Sequence, residues 1–231
     1  MAFFANRKGV SPTSGGDGGV YSIDDEYRMQ QLGTIYNDPG SGLVEGLTAT
    51  GGVITDYADG PKVYRAHLFS DSGTFNVTKV GSYGSDVEYL VVAGGGGGGI
   101  GGNSGGGGGA GGFRTNVPGT PGDHTTSTPY PISISPGSYT VTIGAGGAGG
   151  TGGPGGFNGS DTTFSTITSG GGGGAGPSSP PYEGKDGGSG GGGSSAPGSV
   201  AYAGGATVAV STPAPWPGPA TQGTAGGQGQ H

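Results

Sequence analysis

The side chains able to do chemistry in this chain are few, and their spacing argues against most reactions. Gly144-Ala145-Gly146-Gly147-Ala148-Gly149 follows a strand-like stretch and satisfies G-x-G-x-x-G, the spacing that holds a dinucleotide pyrophosphate at a helix N-terminus. That chemistry needs a helix next, and Thr151-Gly152-Gly153-Pro154-Gly155-Gly156 cannot supply one. His67, His124 and His231 share no metal-ligand spacing, and His67 reads as a surface or satisfied core residue. Asp24, Asp25 and Glu26 read as charge at a helix start rather than as an acid pair. There is no cysteine nucleophile. The expectation is a protein without catalysis, cofactor or metal. Recognition chemistry remains. Tyr130, Tyr182, Tyr202 and Trp216 stand in Pro- and Gly-rich stretches, and aromatic faces suit sugar or protein receptors. Arg114, His124 and Lys185 add polar contacts. The competing role for these aromatics is to cover segment ends or to meet a neighbouring subunit.

The background in which these residues sit is unusual. Of 231 residues, 64 are glycine and 17 proline, while hydrophobic residues make up 29%; average chains carry about 7% Gly and about 5% Pro. A conventional apolar core must therefore be small. Collagen requires glycine at every third position, whereas here glycine comes in solid runs, such as Gly94–Gly99 and Gly105–Gly109. The formal net charge of -7 with only eight Lys and Arg argues against nucleic acid as a partner. No apolar run approaches the ~20 residues of a membrane span, so no membrane insertion is expected. Met1 to Lys8 does not read as a secretory leader.

Three regions are expected. Residues 1–34 read as an N-terminal arm followed by a short helix over 22–32. Ser22 is its N-cap, Asp25 sits at the capping-box position and Gly33 at C′. Ile23, Tyr27 and Leu32 would attach it to a particle, since three turns are too few to stand alone. Residues 35–92 read as short strands at 44–47, 52–54, 63–69, 73–77 and 87–92. Residues 93–231 read as a glycine-rich domain. Three times a strand feeds directly into glycine: Val87–Val92, Tyr139–Ile143 and Thr162–Thr168. The runs at 187–193 and 204–205 read as further rods.

An extended glycine run in the polyproline II conformation has three residues per turn and no internal hydrogen bonds. Its amides and carbonyls must find partners on neighbouring rods, and without Cβ atoms those rods can approach closely. Each bond contributes only about 1 kcal/mol net, so several rods must pack together. An Ala or Asn within a run is expected where its side chain faces outward. The fold class is therefore all-β plus a polyglycine II helical bundle, with a short N-terminal helix and a small β-sandwich feeding the rods.

Tyr89-Leu90-Val91-Val92-Ala93-Gly94 with Gly111-Gly112-Phe113-Arg114, then Ser135-Pro136-Gly137-Ser138-Tyr139-Thr140-Val141, then Phe157-Asn158-Gly159-Ser160-Asp161-Thr162-Thr163-Phe164, together resemble the glycine-rich domain of tailed-phage tail fibres and adhesins, over roughly residues 70–230. Gly19 to Tyr27 resembles the linker helix that precedes such domains in cyanophage-type fibre proteins. The resemblance implies a virion protein assembled in the host cytoplasm. It would be a tail fibre or adhesin subunit that mediates host attachment through loops 113–130, 177–186 and 211–222. Implied partners are other virion structural proteins, further copies of itself (by analogy a trimer), and a host cell-surface receptor, protein or glycan. Relatives often continue through another glycine run, which implies a last rod either missing or supplied by another subunit. A shaft, collar or capsid decoration role stays open beside the adhesin role. So does a glycine-rich ice-binding protein, a remoter possibility that would need a regular Thr or Ala face.

Overall fold

The computed structural model describes residues 2–10, 46–59, 62–81, 85–100, 105–117, 129–135, 137–151, 153–196, 200–210 and 222–229. The described residues form strands and extended segments with no helix. The helix expected over 22–32, with Ile23, Tyr27 and Leu32, lies outside them, as do His124 and Trp216.

Two open antiparallel sheets share one core. The first has the order β3 (Val53–Asp59), β4 (Lys62–Phe69), β1 (Ala2–Val10), β6 (Asp86–Val92), β7 (Phe113–Thr115), with β8 (Tyr130–Pro131) also paired to β6. The second runs β11 (Ile167–Ser169), β10 (Thr162–Phe164), β9 (Ser138–Thr142), β5 (Gly73–Lys79), β2 (Thr48–Thr50). A small hairpin, β12 (Ser195–Ala196) with β13 (Val200–Ala201), lies in the glycine-rich part.

The strands read from alternation in the sequence are present where β-branched and aromatic residues recur at every second position. β6 shows the pattern most clearly: Val87, Tyr89 and Val91 are buried and the residues between them are not. Three stretches differ from expectation. The strand read at 44–47 is not seen: residues 46–47 are not strand, β2 begins at Thr48, and 44–45 lie outside the described residues. Residues 2–10 are not an arm but a strand paired on both edges, with Ala2 opposite Phe69 on β4 and opposite Val91 on β6. Low apolar content averaged over twenty residues hid a pairing that only distant strands could reveal. Residues 162–169 are not one strand but a tight hairpin, Thr162–Phe164 against Ile167–Ser169, turning through Ser165 at φ 51°. That turn lacks the Gly or Asn that usually marks a left-handed position.

Between the sheets, Phe75, Val87, Val91, Val141, Phe164 and Ile167 are almost fully buried. Phe164 lies at the centre of an aromatic group. Its ring centroid is 6.2 Å from Phe75, 5.1 Å from Tyr130 and 6.1 Å from Tyr139. The Tyr130 hydroxyl donates to Ser165 Oγ at 2.9 Å, so its polar tip is satisfied inside the core.

His67 belongs to the same core. Its Nδ1 lies 2.8 Å from the carbonyl oxygen of Gly51. A carbonyl only accepts, so the proton sits on Nδ1. Nε2 is buried without a partner among the described residues, and the ring meets Phe75 edge-on at 5.0 Å. Gly51 and Gly52, at φ 108° and 66°, make the turn that delivers this carbonyl, in a region that L side chains rarely adopt. Burial holds His67 below its ordinary value of 6.5. As pH falls through about 6.5 the unfolded chain takes up a proton that the folded chain refuses. Stability is therefore complete above that value and declines below it, by at most about 1.4 kcal/mol per pH unit. Urea midpoints at pH 7.5 and 5.5 will differ more for the wild type than for His67→Gln.

Three strands continue without a turn into glycine: β6 into 93–100, β9 into 144–151, and β11 into 170–176. Two segments return, 105–112 into β7 and 153–160 into β10. Their hydrogen bonds recur every third residue. Ala93, Gly96 and Gly99 donate to the carbonyls of Gly112, Gly109 and Gly106, while Gly94 and Gly97 donate to those of Ser160 and Phe157. Gly147 and Gly150 donate back to Gly95 and Gly98, and Gly172 and Ala175 to Gly94 and Gly97. Outgoing segments are thus parallel to one another and antiparallel to the returning ones.

Segment 170–176 lies at the centre, buried throughout. Every amide along it is bonded. Gly172, Gly173, Ala175 and Gly176 donate to the carbonyls of Gly94, Ser189, Gly97 and Gly192. Gly170, Gly171 and Gly174 donate to the side chains of Gln222, Asp161 and Asn158. Further segments at 182–188, 189–194, 202–208 and 222–229 extend the array by the same rule.

No glycine in these runs has φ in the left-handed region among the described residues. Glycine is required there by space. A Cβ on Gly96, Gly97, Gly173 or Gly191 would land on the carbonyl of a neighbouring segment, whereas one on Gly107, Gly153 or Gly227 would meet nothing within 4 Å. Ala110, Ala145, Ala148 and Asn158 are exposed, as expected for interruptions that face outward. Ala175 differs: it is fully buried, its methyl filling space beside Gly99.

Candidate recognition surface

The array brings together some of the residues singled out from the sequence and hides others. Arg114 is 1% exposed. Its Nε donates to the carbonyl of Thr168 at 2.7 Å and its Nη2 to that of Val210 at 3.4 Å. Burial lowers its pKa to about 10, against the raising influence of Tyr89, so it remains a cation at neutral pH. Burial likewise raises the Tyr89 phenol, which stays neutral. Arg114 thus joins sheet to glycine-rich region. Tyr130 is core, as above. Neither presents a surface to a receptor, contrary to the sequence expectation; both stand beside long glycine or proline stretches that resemble loops.

Tyr182, Lys185 and Tyr202 do meet on one face. Tyr182 and Lys185 are three residues apart on segment 182–188, one period of the hydrogen-bond pattern, so they lie in one row. The amides of Gly184 and Gly187 donate to the carbonyls of Ala203 and Ala206, which sets segment 202–208 alongside. This puts the Tyr202 ring 4.7 Å from that of Tyr182, tilted by 39°. On the other flank, Asn158 Nδ2 donates to the carbonyl of Asp186 at 2.9 Å. Lys185 Nζ then stands 4.8 Å over the ring of Phe157, a cation–π distance.

The result is a partly exposed face of three aromatic rings and one ammonium, held by backbone that is hydrogen-bonded beneath it. Such a face can stack on a sugar ring or receive an aromatic or acidic protein side chain. Phe157 went unselected in the sequence, where it enters only as the start of the family-like stretch 157–164. The signal was present: a large apolar residue in a glycine run has nowhere to go but outward, and Phe157 is 48% exposed. Glu183 and Asp186 border the face. The Asp186 carboxylate accepts from the Ala206 amide at 2.6 Å, a structural use. Among the described residues no three His, Cys, Asp or Glu side chains cluster as metal ligands.

Residues 70–231 match the family model described as glycine-rich domain. No curated protein and no solved structure matches the chain.

Proposed function

Starting from the premise that the chain belongs to the glycine-rich domain family, we propose that it is a structural and recognition protein of a tailed-phage virion, a tail fibre or adhesin subunit whose glycine segments form a polyglycine II bundle. The observation that carries the bundle is the three-residue hydrogen-bond period converging on segment 170–176. An extended helix with three residues per turn directs every third amide to the same neighbour. A stiff body with few side chains is suited to displaying a small set of exposed ones. Here those are Phe157, Tyr182, Lys185 and Tyr202, which support host attachment as the role, with a cell-surface protein or glycan as the partner. Trp216 remains a candidate on the same reading.

The test is competition for adsorption. Host cells preincubated with the purified protein should adsorb fewer phage. A Tyr182→Ala/Tyr202→Ala variant with an unchanged melting temperature should compete at least ten-fold less well. If the labelled wild-type protein does not bind cells at all, the role moves to shaft, collar or decoration. The amides of Gly107, Ala110, Ala225 and Gln228, which make no hydrogen bond among the described residues, favour that second reading, since they offer other subunits a place to join.

A further inference from the structure

Away from the aromatic face, segments 105–110, 189–193 and 224–229 enclose an open groove of about 900 Å³, lined by glycine and small polar residues. Segment 189–193 is its floor, bonded on both sides: Ser189 and Gly192 donate to Ala110 and Gly107, and Gly190 and Gly193 to Thr224 and Gly227. The walls are not finished. The amides of Gly107, Gly108 and Ala110 on one side, and of Ala225, Gly227 and Gln228 on the other, make no hydrogen bond among the described residues. All six residues are exposed. A row of unpaired backbone groups is a template for another chain, as at a sheet edge.

The chemistry of an occupant follows from the rest of the array. It must be extended and must lack large side chains on the side that enters, because a Cβ at most inner glycines of the existing segments would strike neighbouring backbone. Away from the groove, the protein displays such an element. Segment 144–150 is Gly-Ala-Gly-Gly-Ala-Gly-Gly, with nothing larger than a methyl. Among the described residues its hydrogen bonds go to segments 93–100 and 153–160 and, from the Gly144 amide, to Thr162 Oγ1. Ala145, Gly146, Ala148 and Gly149 are exposed, and their amides are unpaired among the described residues. Outside the groove walls, the exposed segments 153–160 and 202–208 carry Phe157, Tyr202 or Val208 and do not present a smooth ridge; the wall 105–112 is itself glycine with one alanine.

We propose that segment 144–150 of one copy docks into the groove between residues 105–110 and 224–229 of a second copy, adding the next rod to its bundle. Ridge and groove are different surfaces with no hydrogen bond between them, so the contact is heterologous. It propagates into a ring or an open stack rather than closing on a two-fold axis. The proposal rests on the polyglycine II reading above.

Two substitutions isolate the surfaces without disturbing the fold. Gly107 lines the groove and a Cβ there meets nothing within 4 Å, and one at Gly149 meets only Gly98 O at an ordinary 3.6 Å. In sedimentation velocity over a concentration series, the wild-type chain should self-associate. Gly107→Leu and Gly149→Leu should each weaken association at least ten-fold, with unchanged melting temperature. Mixed together they should form a one-to-one pair that grows no further, because one blocked groove and one blocked ridge leave a single usable contact. A monomeric wild type, association unaffected by either change, or a mixture that pairs no better than its parts would each overturn the proposal. So would tight binding of a lysine-flanked hexaglycine peptide to a wild type that stays monomeric, which would assign the groove to another polypeptide. Hydrogen exchange separates this failure from failure of the bundle. If the amides of 170–176 exchange slowly while copies stay apart, only the docking is wrong; if they exchange freely, the bundle reading itself falls.

Discussion

Gly173→Ala should cost the fold roughly 3–5 kcal/mol, an exceptional loss for the addition of one methyl. Gly173 lies in the buried segment 170–176, and a Cβ there would overlap the carbonyl oxygen of Lys185 and come within 2.7 Å of the Gly191 amide nitrogen. Both are backbone atoms of neighbouring segments, held in turn by the hydrogen bond from Gly191 to Lys185 at 2.9 Å. No rotamer can relieve the contact. The segment would have to move away from three neighbours, breaking several bonds of about 1 kcal/mol each. For a chain of this size the melting temperature should fall by about 10 °C or more. Gly107→Ala adds the same methyl where nothing lies within 4 Å. It should be neutral or raise stability by up to about 1 kcal/mol, because alanine restricts the unfolded chain more than glycine does. Thermal melts of the two variants decide the matter. Equal effects would mean that glycine is used here for flexibility and not for space.

The second large effect is expected at Phe164→Ala, about 3–5 kcal/mol, the range for emptying a buried aromatic site. Phe164 is fully buried, and Phe75, Tyr130 and Tyr139 all pack against it. They come from strands β5, β8 and β9, so its loss loosens both sheets at once. The damage should not stop at the core. The hairpin that carries Phe164 ends at Ser169, whose hydroxyl donates to the Val91 carbonyl at 2.8 Å. One residue after Ser169 and two after Val91, segments 170–176 and 93–100 begin. The paired sheets thus set the start of the central segment and of one hydrogen-bonded to it. Amide exchange in 170–176 should accelerate in Phe164→Ala by as large a factor as exchange in β9. Rapid exchange in β9 with protection retained in 170–176 would show that the glycine array is stable on its own.

Several things about this protein stand in its residues taken one after another. Alternating β-branched and aromatic residues specify β4, β5, β6 and β9, because a half-buried strand repeats every two residues. The glycine runs announce themselves, and so does the need for their amides to find partners, since an extended chain cannot satisfy itself. The family can be read from the order of strand and glycine stretch. The tertiary structure decided what depends on distant neighbours. It placed residues 2–10 between two strands more than fifty residues away, and it divided 162–169 into a hairpin. It buried Arg114 by supplying the carbonyls of Thr168 and Val210, which no local pattern foretells. It also decided which glycines have no room for a methyl and which face open space. A run of identical residues carries no internal distinction between its positions; the carbonyls of adjacent segments draw that distinction, three residues at a time.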